Sequence, residues 1–277
     1  MSPERRETLL KIDNVSQVFG ENVVLRGVNA EIKNIVRADR PDIQQGQVVC
    51  LLGPSGVGKT QLFRIMAGLS NPTSGSVLLG PEGKSVTRGE VGVVFQNYPL
   101  FNHRTVLHNL MIAARKAGMK KNEAKDRSME LLQRFNLAER ANYYPAQLSG
   151  GQRQRVAIAQ QIICSRYFLL MDEPYSGLDL LMKETVSELI LQVATMHEFN
   201  TIIVTTHNIA DSLVIADTIW ILGLEHDQGT GNFIPGARIR QEIDLVSRGL
   251  AWQPDIKSLP QFRDTVFEIE QIFRTLK

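Results

Sequence analysis

The chain has 277 residues, long enough for one substantial core with an appendage, and its 43% hydrophobic and 22% charged content with a net charge of +2 is that of an ordinary globular protein. This balance excludes an intrinsically disordered chain and carries no bias toward polyanions, so no direct nucleic-acid partner is expected. No run approaches the roughly 18 consecutive apolar residues of a bilayer span, and the opening MSPERRETLL lacks the apolar core of a signal peptide, so a cytoplasmic location is expected.

In chain order, LLKIDNVSQVF and VVLRGVNAEI predict two strands separated by a Gly-Glu-Asn turn, an antiparallel hairpin ahead of the main fold. The short β-branched runs QVVCLLG, EVGVVF, YFLLMDE, NTIIVTTH and DTIWILG then alternate with stretches of helical period, the pattern of a mostly parallel sheet covered by helices. The fold class is α/β. Between Phe95 and Tyr167 the strand signal stops, and TVLHNLMIAARKAGM and KNEAKDRSMELLQRFNL predict helices, the second capped by Asn122, in a helical subdomain at about residues 98–165. Its basic cluster (Arg115, Lys116, Lys120, Lys121, Lys125, Arg127) interleaves with Glu123, Asp126 and Glu130, as on a solvated helix face. After Gly223 the composition turns rich in glycine and turn residues, giving a division at 225/226. A final helix follows, with Leu259, Phe262, Val266, Ile269, Phe273 and Leu276 on a stripe expected to pack against the chain's own body. Cys50 and Cys164 have no metal or redox spacing and are expected as small buried hydrophobes.

Gly53, Pro54, Ser55, Gly56, Val57, Gly58, Lys59 and Thr60 spell GPSGVGKT, which fits G-x-x-x-x-G-K-[ST] between an apolar strand and a helix. Glycines let consecutive backbone N–H groups close around phosphates at the positive end of a helix, Lys59 reaches the same oxygens, and the Thr60 hydroxyl ligates Mg²⁺. The apolar run YFLLMDE ends in two adjacent acids that point different ways, which suits Asp172 to the metal and Glu173 to activating a water.

A second phosphate cradle occurs at Ser149, Gly150 and Gly151, just before the helical QRQRVAIAQQII. With no lysine it supplements a phosphate site rather than making one. It lies beyond the helical insert, too far to serve the nucleotide of its own subunit, so a second copy is expected to bring it there.

GPSGVGKT, Gln96 after VGVVF, LSGGQ at residues 148–152, LLMDE, SGLD ending at Asp179, and His207 after TIIVTT together resemble the ATP-binding subunit of ABC transporters over about residues 9–225. The resemblance implies a P-loop ATPase domain over residues 1–225, with 226–277 as a short extension, and a head-to-tail dimer in which each of two ATP molecules lies between the P-loop of one subunit and the LSGGQ loop of the other. It implies that Phe19 stacks on adenine, Gln96 senses Mg²⁺ and water, His207 contacts the γ-phosphate, Gln152 belongs to the signature loop, and Asp179 crosses the dimer interface. Three positions depart from the family pattern: Gln61 where a second hydroxyl usually follows the P-loop, Gln160 in place of an arginine, and an inserted NIVRADRPD at residues 34–42 that pushes Phe19 upstream.

The same resemblance implies separate transmembrane subunits, docked at residues 96–101 and the helical insert, a second ATPase subunit that is a homodimer partner or close paralogue, and, for an importer of small polar solutes, a solute-binding protein. The chain would then sit peripherally at the cytoplasmic face of the membrane. The alternative is a soluble ABC ATPase acting on nucleic acid or ribosomes. Against it, no heptad run separates Gln96 from Ser149, and the chain carries one motif set. Tyr98, Leu100 and Phe101 read equally well as docking groove or as core.

Overall fold

The computed structural model describes residues 4–36, 44–45, 47–164, 168–196, 200–227, 229–253 and 255–276; most of the insertion expected at 34–42 lies outside the described residues. The chain opens with β1 (Glu4–Phe19) and β2 (Asn22–Val36), followed by β3 (Gln44–Gln45), β4 (Gln47–Leu52), α1 (Lys59–Met66), β5 (Ser74–Leu79), β6 (Lys84–Ser85) and β7 (Gly92–Val94). Next come three helices, α2 (Val106–Lys116), α3 (Lys121–Arg134) and α4 (Gly150–Cys164). The remainder is β8 (Phe168–Asp172), α5 (Leu180–Thr195), β9 (Thr201–Thr206), α6 (Ile209–Ile215), β10 (Thr218–His226), β11 (Phe233–Asp244) and α7 (Pro260–Arg274).

The strands form one curled sheet in the order β6-β5-β1-β2-β11-β10-β4-β9-β8-β7, with β3 paired to β2. The run β10-β4-β9-β8-β7 is parallel throughout, and β6-β5-β1-β2 is antiparallel, as the early hairpin predicts. Parallel strands here carry helices on both faces, which is why their sequences are apolar without interruption. Side-chain alternation divides them between two cores. Val48, Cys50 and Leu52 of β4, with Leu169, Met171, Ile202 and Val204, face the core under α2–α7. Val49, Leu51, Leu170, Ile203 and Trp220 face α1 and the antiparallel hairpin. Burying each such side chain fully contributes about 1.5–3 kcal/mol.

Several local expectations change. The N-cap of α3 is Lys120, not Asn122: the Glu123 carboxylate accepts from the Lys120 N–H at 3.3 Å, and Asn122 lies within the first turn. The run EVGVVF yields only the three residues of β7, because Glu90 is held in a turn by the Thr87 N–H at 2.7 Å and by Lys84 at 2.8 Å. The expected division at 225/226 falls inside β10. Beyond it β11 pairs with β10 and, through Ala237 opposite Leu25, with β2, so the segment after 225 begins as the strand that joins the parallel and antiparallel halves of the sheet. The stripe of α7 packs as expected, with Phe262, Ile269 and Leu276 buried in the helical-side core and Leu259, Val266 and Phe273 against it.

Cys50 is fully buried, which pushes its thiol well above the ordinary range, whereas Cys164 is half-buried. Arg127 and Arg134 both pair with Glu130, at 2.6 and 2.9 Å, on the polar face of α3.

Candidate active site

The first loop connects β4 to α1, so its residues lie at the carboxyl end of the parallel strands, where β8 and β9 also end. Gly58 is the N-cap of α1 at φ 110°, a backbone that side chains rarely adopt, and a Cβ there would stand 3.1 Å from both Val24 and Leu25 of β2. Gly53 is closed to any side chain for another reason: its Cβ would meet the Leu222 carbonyl oxygen at 2.6 Å. Pro54 is buried beneath the loop, Ser55 and Gly56 are exposed, and Val57 packs on the second core.

Lys59 is 8% exposed, and its ammonium donates to the carbonyls of Gly53 at 2.8 Å and Pro54 at 3.0 Å, which draws it across the loop. The same nitrogen is 3.8 Å from Oε1 of Glu173. Thr60 presents an exposed hydroxyl-bearing side chain one residue on, and Gln61 is half-buried with its N–H bonded to the Gly58 carbonyl.

Glu173 follows the last residue of β8 and sits at φ 47°, the left-handed region, which costs a residue with a Cβ on the order of 1–3 kcal/mol. Two hydrogen bonds fix it there: its N–H donates to both the carbonyl and the hydroxyl oxygen of Thr205 in β9, each at 3.1 Å. The Thr205 hydroxyl in turn donates to Oδ1 of Asp172 at 2.6 Å. One buried threonine therefore turns two adjacent acids in different directions. Sequence reasoning missed Thr205; its signal was the pair of adjacent hydroxyls that ends the fully buried strand TIIVTT.

His207 leaves β9 one residue past its end, and its Nδ1 lies 3.0 and 3.1 Å from the two oxygens of Glu173. The ring is 57% exposed, with Asn208 beyond it capping α6 by accepting from the Asp211 N–H at 2.9 Å. Lys59, Asp172, Glu173 and His207, spread over 149 positions of sequence, thus converge at the ends of three adjacent strands.

Gln96 is exposed in the turn after β7. Two residues on, Tyr98 at φ 44° donates its hydroxyl to the Pro174 carbonyl at 3.3 Å, beside Glu173, and burial raises that hydroxyl to about 12. Tyr98 and Leu100 pack against the core, whereas Phe101 is 44% exposed. The loop bearing Phe101 is clamped by fully buried Asn109 of α2, whose side chain bonds the Phe101 N–H and the carbonyls of Phe101, Arg104 and Thr105. Gln160 of α4 donates to the Asn109 carbonyl at 3.3 Å, so the glutamine at that position ties α4 to α2.

Phe19 ends β1 with 52% of its surface exposed, so it is not a core residue. The second loop stands apart. Gly150 and Gly151 belong to the first turn of α4 rather than preceding it, and Ser149 caps it reciprocally: the Gln152 N–H donates to the Ser149 hydroxyl at 3.3 Å, and the Ser149 N–H to the Gln152 carboxamide at 3.0 Å. A Cβ on Gly151 would meet Met182 of α5 at 2.7 Å. Among the described residues neither Ser149 nor Gln152 shares a hydrogen bond or ion pair with the first loop. Asp179 caps α5 by accepting from the Met182 N–H at 2.9 Å.

The three side chains that the sequence assigns to the metal, the Thr60 hydroxyl, the Asp172 carboxylate and the Gln96 carboxamide, offer only oxygen donors. Among the described residues no three His, Cys, Asp or Glu side chains form a metal cage. Few protein oxygens of hard character fit Mg²⁺, which keeps waters and substrate phosphates as its other ligands.

Among curated proteins, the chain is 38% identical over 215 residues to the Fe(3+) ions import ATP-binding protein FbpC of Brucella abortus (strain 2308), covering 76% of this chain and 57% of that protein. It is 34% identical over 220 residues to the sulfate/thiosulfate import ATP-binding protein CysA 2 of Rhizobium meliloti (77% and 57%). It is 36% identical over 220 residues to the spermidine/putrescine import ATP-binding protein PotA of Thermotoga maritima (77% and 55%). The chain therefore spans a little over half the length of these relatives. Among solved structures, cbiO1 of Clostridium perfringens, part of the ABC transporter complex cbiONQ, superposes with a TM-score of 0.72 at 23% identity over 97% of this chain and 98% of that one, a shared fold. Residues 37–176, which contain both glycine loops and the Asp172–Glu173 pair, match the ABC transporter family. With that match covering half of its length, the chain belongs to the ABC transporter family.

Proposed function

We propose that this chain binds and hydrolyses ATP and so powers import of a small solute through separate transmembrane subunits. The observation that carries the reading is the convergence on one carboxylate at the mouth of a glycine loop: Glu173 lies 3.8 Å from the Lys59 ammonium and 3.0 Å from Nδ1 of His207. Lys59 and the loop N–H groups bind the β- and γ-phosphates of ATP, and exposed Phe19 offers a ring for adenine. Glu173 takes the proton of the attacking water, and His207, sharing that carboxylate, orients it and contacts the γ-phosphate. Thr60, Asp172 and Gln96 hold Mg²⁺, which when bound neutralises charge on the phosphates.

Ser149, Gly150, Gly151 and Gln152 serve the nucleotide of a second ATPase subunit, identical or closely related. The exposed run beside Asp179, with Leu180 65% and Leu181 74% exposed, supplies apolar surface for that contact. No helix of the described residues is long and apolar enough to cross a membrane. The separate membrane-spanning subunits dock at the exposed Phe101 loop, with a solute-binding protein as donor. The chain sits peripherally at the cytoplasmic face. The import proteins among its relatives favour this reading over a soluble ATPase working on nucleic acid or ribosomes.

The test is Glu173→Gln, assayed with the membrane subunits present. ATP binding is retained and turnover falls about 10²- to 10⁴-fold. Turnover equal to wild type overturns the assignment.

A further inference from the structure

A second cavity, of about 670 Å³, is lined by residues of α5, α6 and the chain that follows β11. Its floor is apolar, built by Leu191, Val214, Ile215 and Ile256, and Trp252 forms part of its wall. Trp252 sits at φ 63°, a backbone an aromatic residue adopts only under constraint. Such strain persists where the surrounding structure fixes it, and it clusters at ligand clamps.

The charge of the lining is one-sided. Lys183 and Lys257 stand among five carboxylates, in a chain whose overall balance is slightly basic. Both lysines are engaged, Lys183 with Asp211 at 2.7 Å and Lys257 with Glu184 at 3.9 Å, and Asp217 accepts from the Val48 N–H at 2.7 Å. Glu188 and Asp255 remain on the rim without a cation among the described residues. An apolar floor, an indole wall and two uncompensated carboxylates select a ligand with a hydrocarbon body and a positive head. An anion would meet net repulsion, and a strongly hydrated cation would gain nothing from the floor.

We infer that this cavity is a binding site for a small amphipathic organic cation, an alkyl- or arylammonium compound, distinct from the nucleotide site. The Lys183–Asp211 pair forms its inner wall and also lines the smaller pocket around Glu173 and His207, so the two sites share one ion pair. The inference stands independently of ATP hydrolysis.

The chain has two tryptophans, and Trp220 is fully buried in β10, so emission from Trp252 reports on the cavity. The full chain is titrated with hexylammonium, hexanoate and hexanol without nucleotide. Hexylammonium gives a saturable emission change at a concentration about tenfold or more below either control. In Glu188→Lys/Asp255→Lys, both exposed rim positions, the order reverses toward hexanoate, with thermal unfolding confirming a native fold. A response equal for all three ligands, a linear response without saturation, or an unchanged order in the folded double variant overturns the site. Because nucleotide is absent, each of these results leaves the ATPase reading untouched, and the Glu173→Gln assay tests that reading separately.

Discussion

Nδ1 of His207 lies 3.0 Å from Oε2 of Glu173, although the two residues leave different strands and are 34 positions apart. The contact places a ring that is more than half exposed against a carboxylate held on a strained backbone. His207→Ala removes the only side chain among the described residues that bonds both Glu173 oxygens. Phosphate release measured with the membrane subunits falls about 10²- to 10⁴-fold, and equilibrium ATP affinity changes no more than about threefold, because Lys59 and the loop N–H groups are intact. A proportional loss of binding and turnover would assign His207 to uniform nucleotide binding instead.

The Gly223–Leu276 contact tests how the C-terminal helix is seated. A Cβ on Gly223 of β10 would stand 2.9 and 3.0 Å from Cγ and Cδ1 of Leu276, which is 1% exposed. Gly223→Ala costs about 1–3 kcal/mol by overpacking, and Leu276→Ala about 2–5 kcal/mol by leaving a cavity. The double variant, measured by urea unfolding, loses less than the sum, since the added methyl fills part of the space vacated.

Asn109→Ala leaves the N–H of Phe101 and three carbonyls without the side chain that holds them. The expected loss is about 1–3 kcal/mol. Amide hydrogen exchange at residue 101 quickens by about tenfold or more, while exchange in β4 follows only the change in global stability.

Arg248 and Glu268 supply a pH dependence. Two hydrogen bonds, at 2.6 and 3.1 Å, join the turn after β11 to α7, and the Arg248 guanidinium holds the Glu268 carboxyl below its ordinary 4.5. A carboxyl depressed by folding contributes stability that is present above its unfolded value and is lost as pH falls through the folded one. The stability gap between wild type and Glu268→Gln, read by urea unfolding, is a few tenths of a kcal/mol at pH 7, because both groups are about a third exposed, and it narrows as pH falls below 4.5, vanishing only under the lower folded value.

The sequence by itself determined whatever rests on neighbours along the chain. GPSGVGKT between an apolar strand and a helix, the paired acids ending LLMDE, the early hairpin and the stripe of α7 were all legible, because a loop's glycines, a strand's alternation and a helix's period are local properties. Only the tertiary structure decided the rest. Thr205 governs both Asp172 and Glu173 from another strand; Asn109 clamps a loop through four contacts; and β11, in a segment that reads as turns, joins the halves of the sheet by pairing with β10 and β2. The left-handed backbone of Glu173, like that of Trp252, is imposed on a residue whose own preference is otherwise, so no local pattern announces it. Long-range pairing sets those conformations, and a residue's chemistry at such a point is fixed by partners that the linear order does not name.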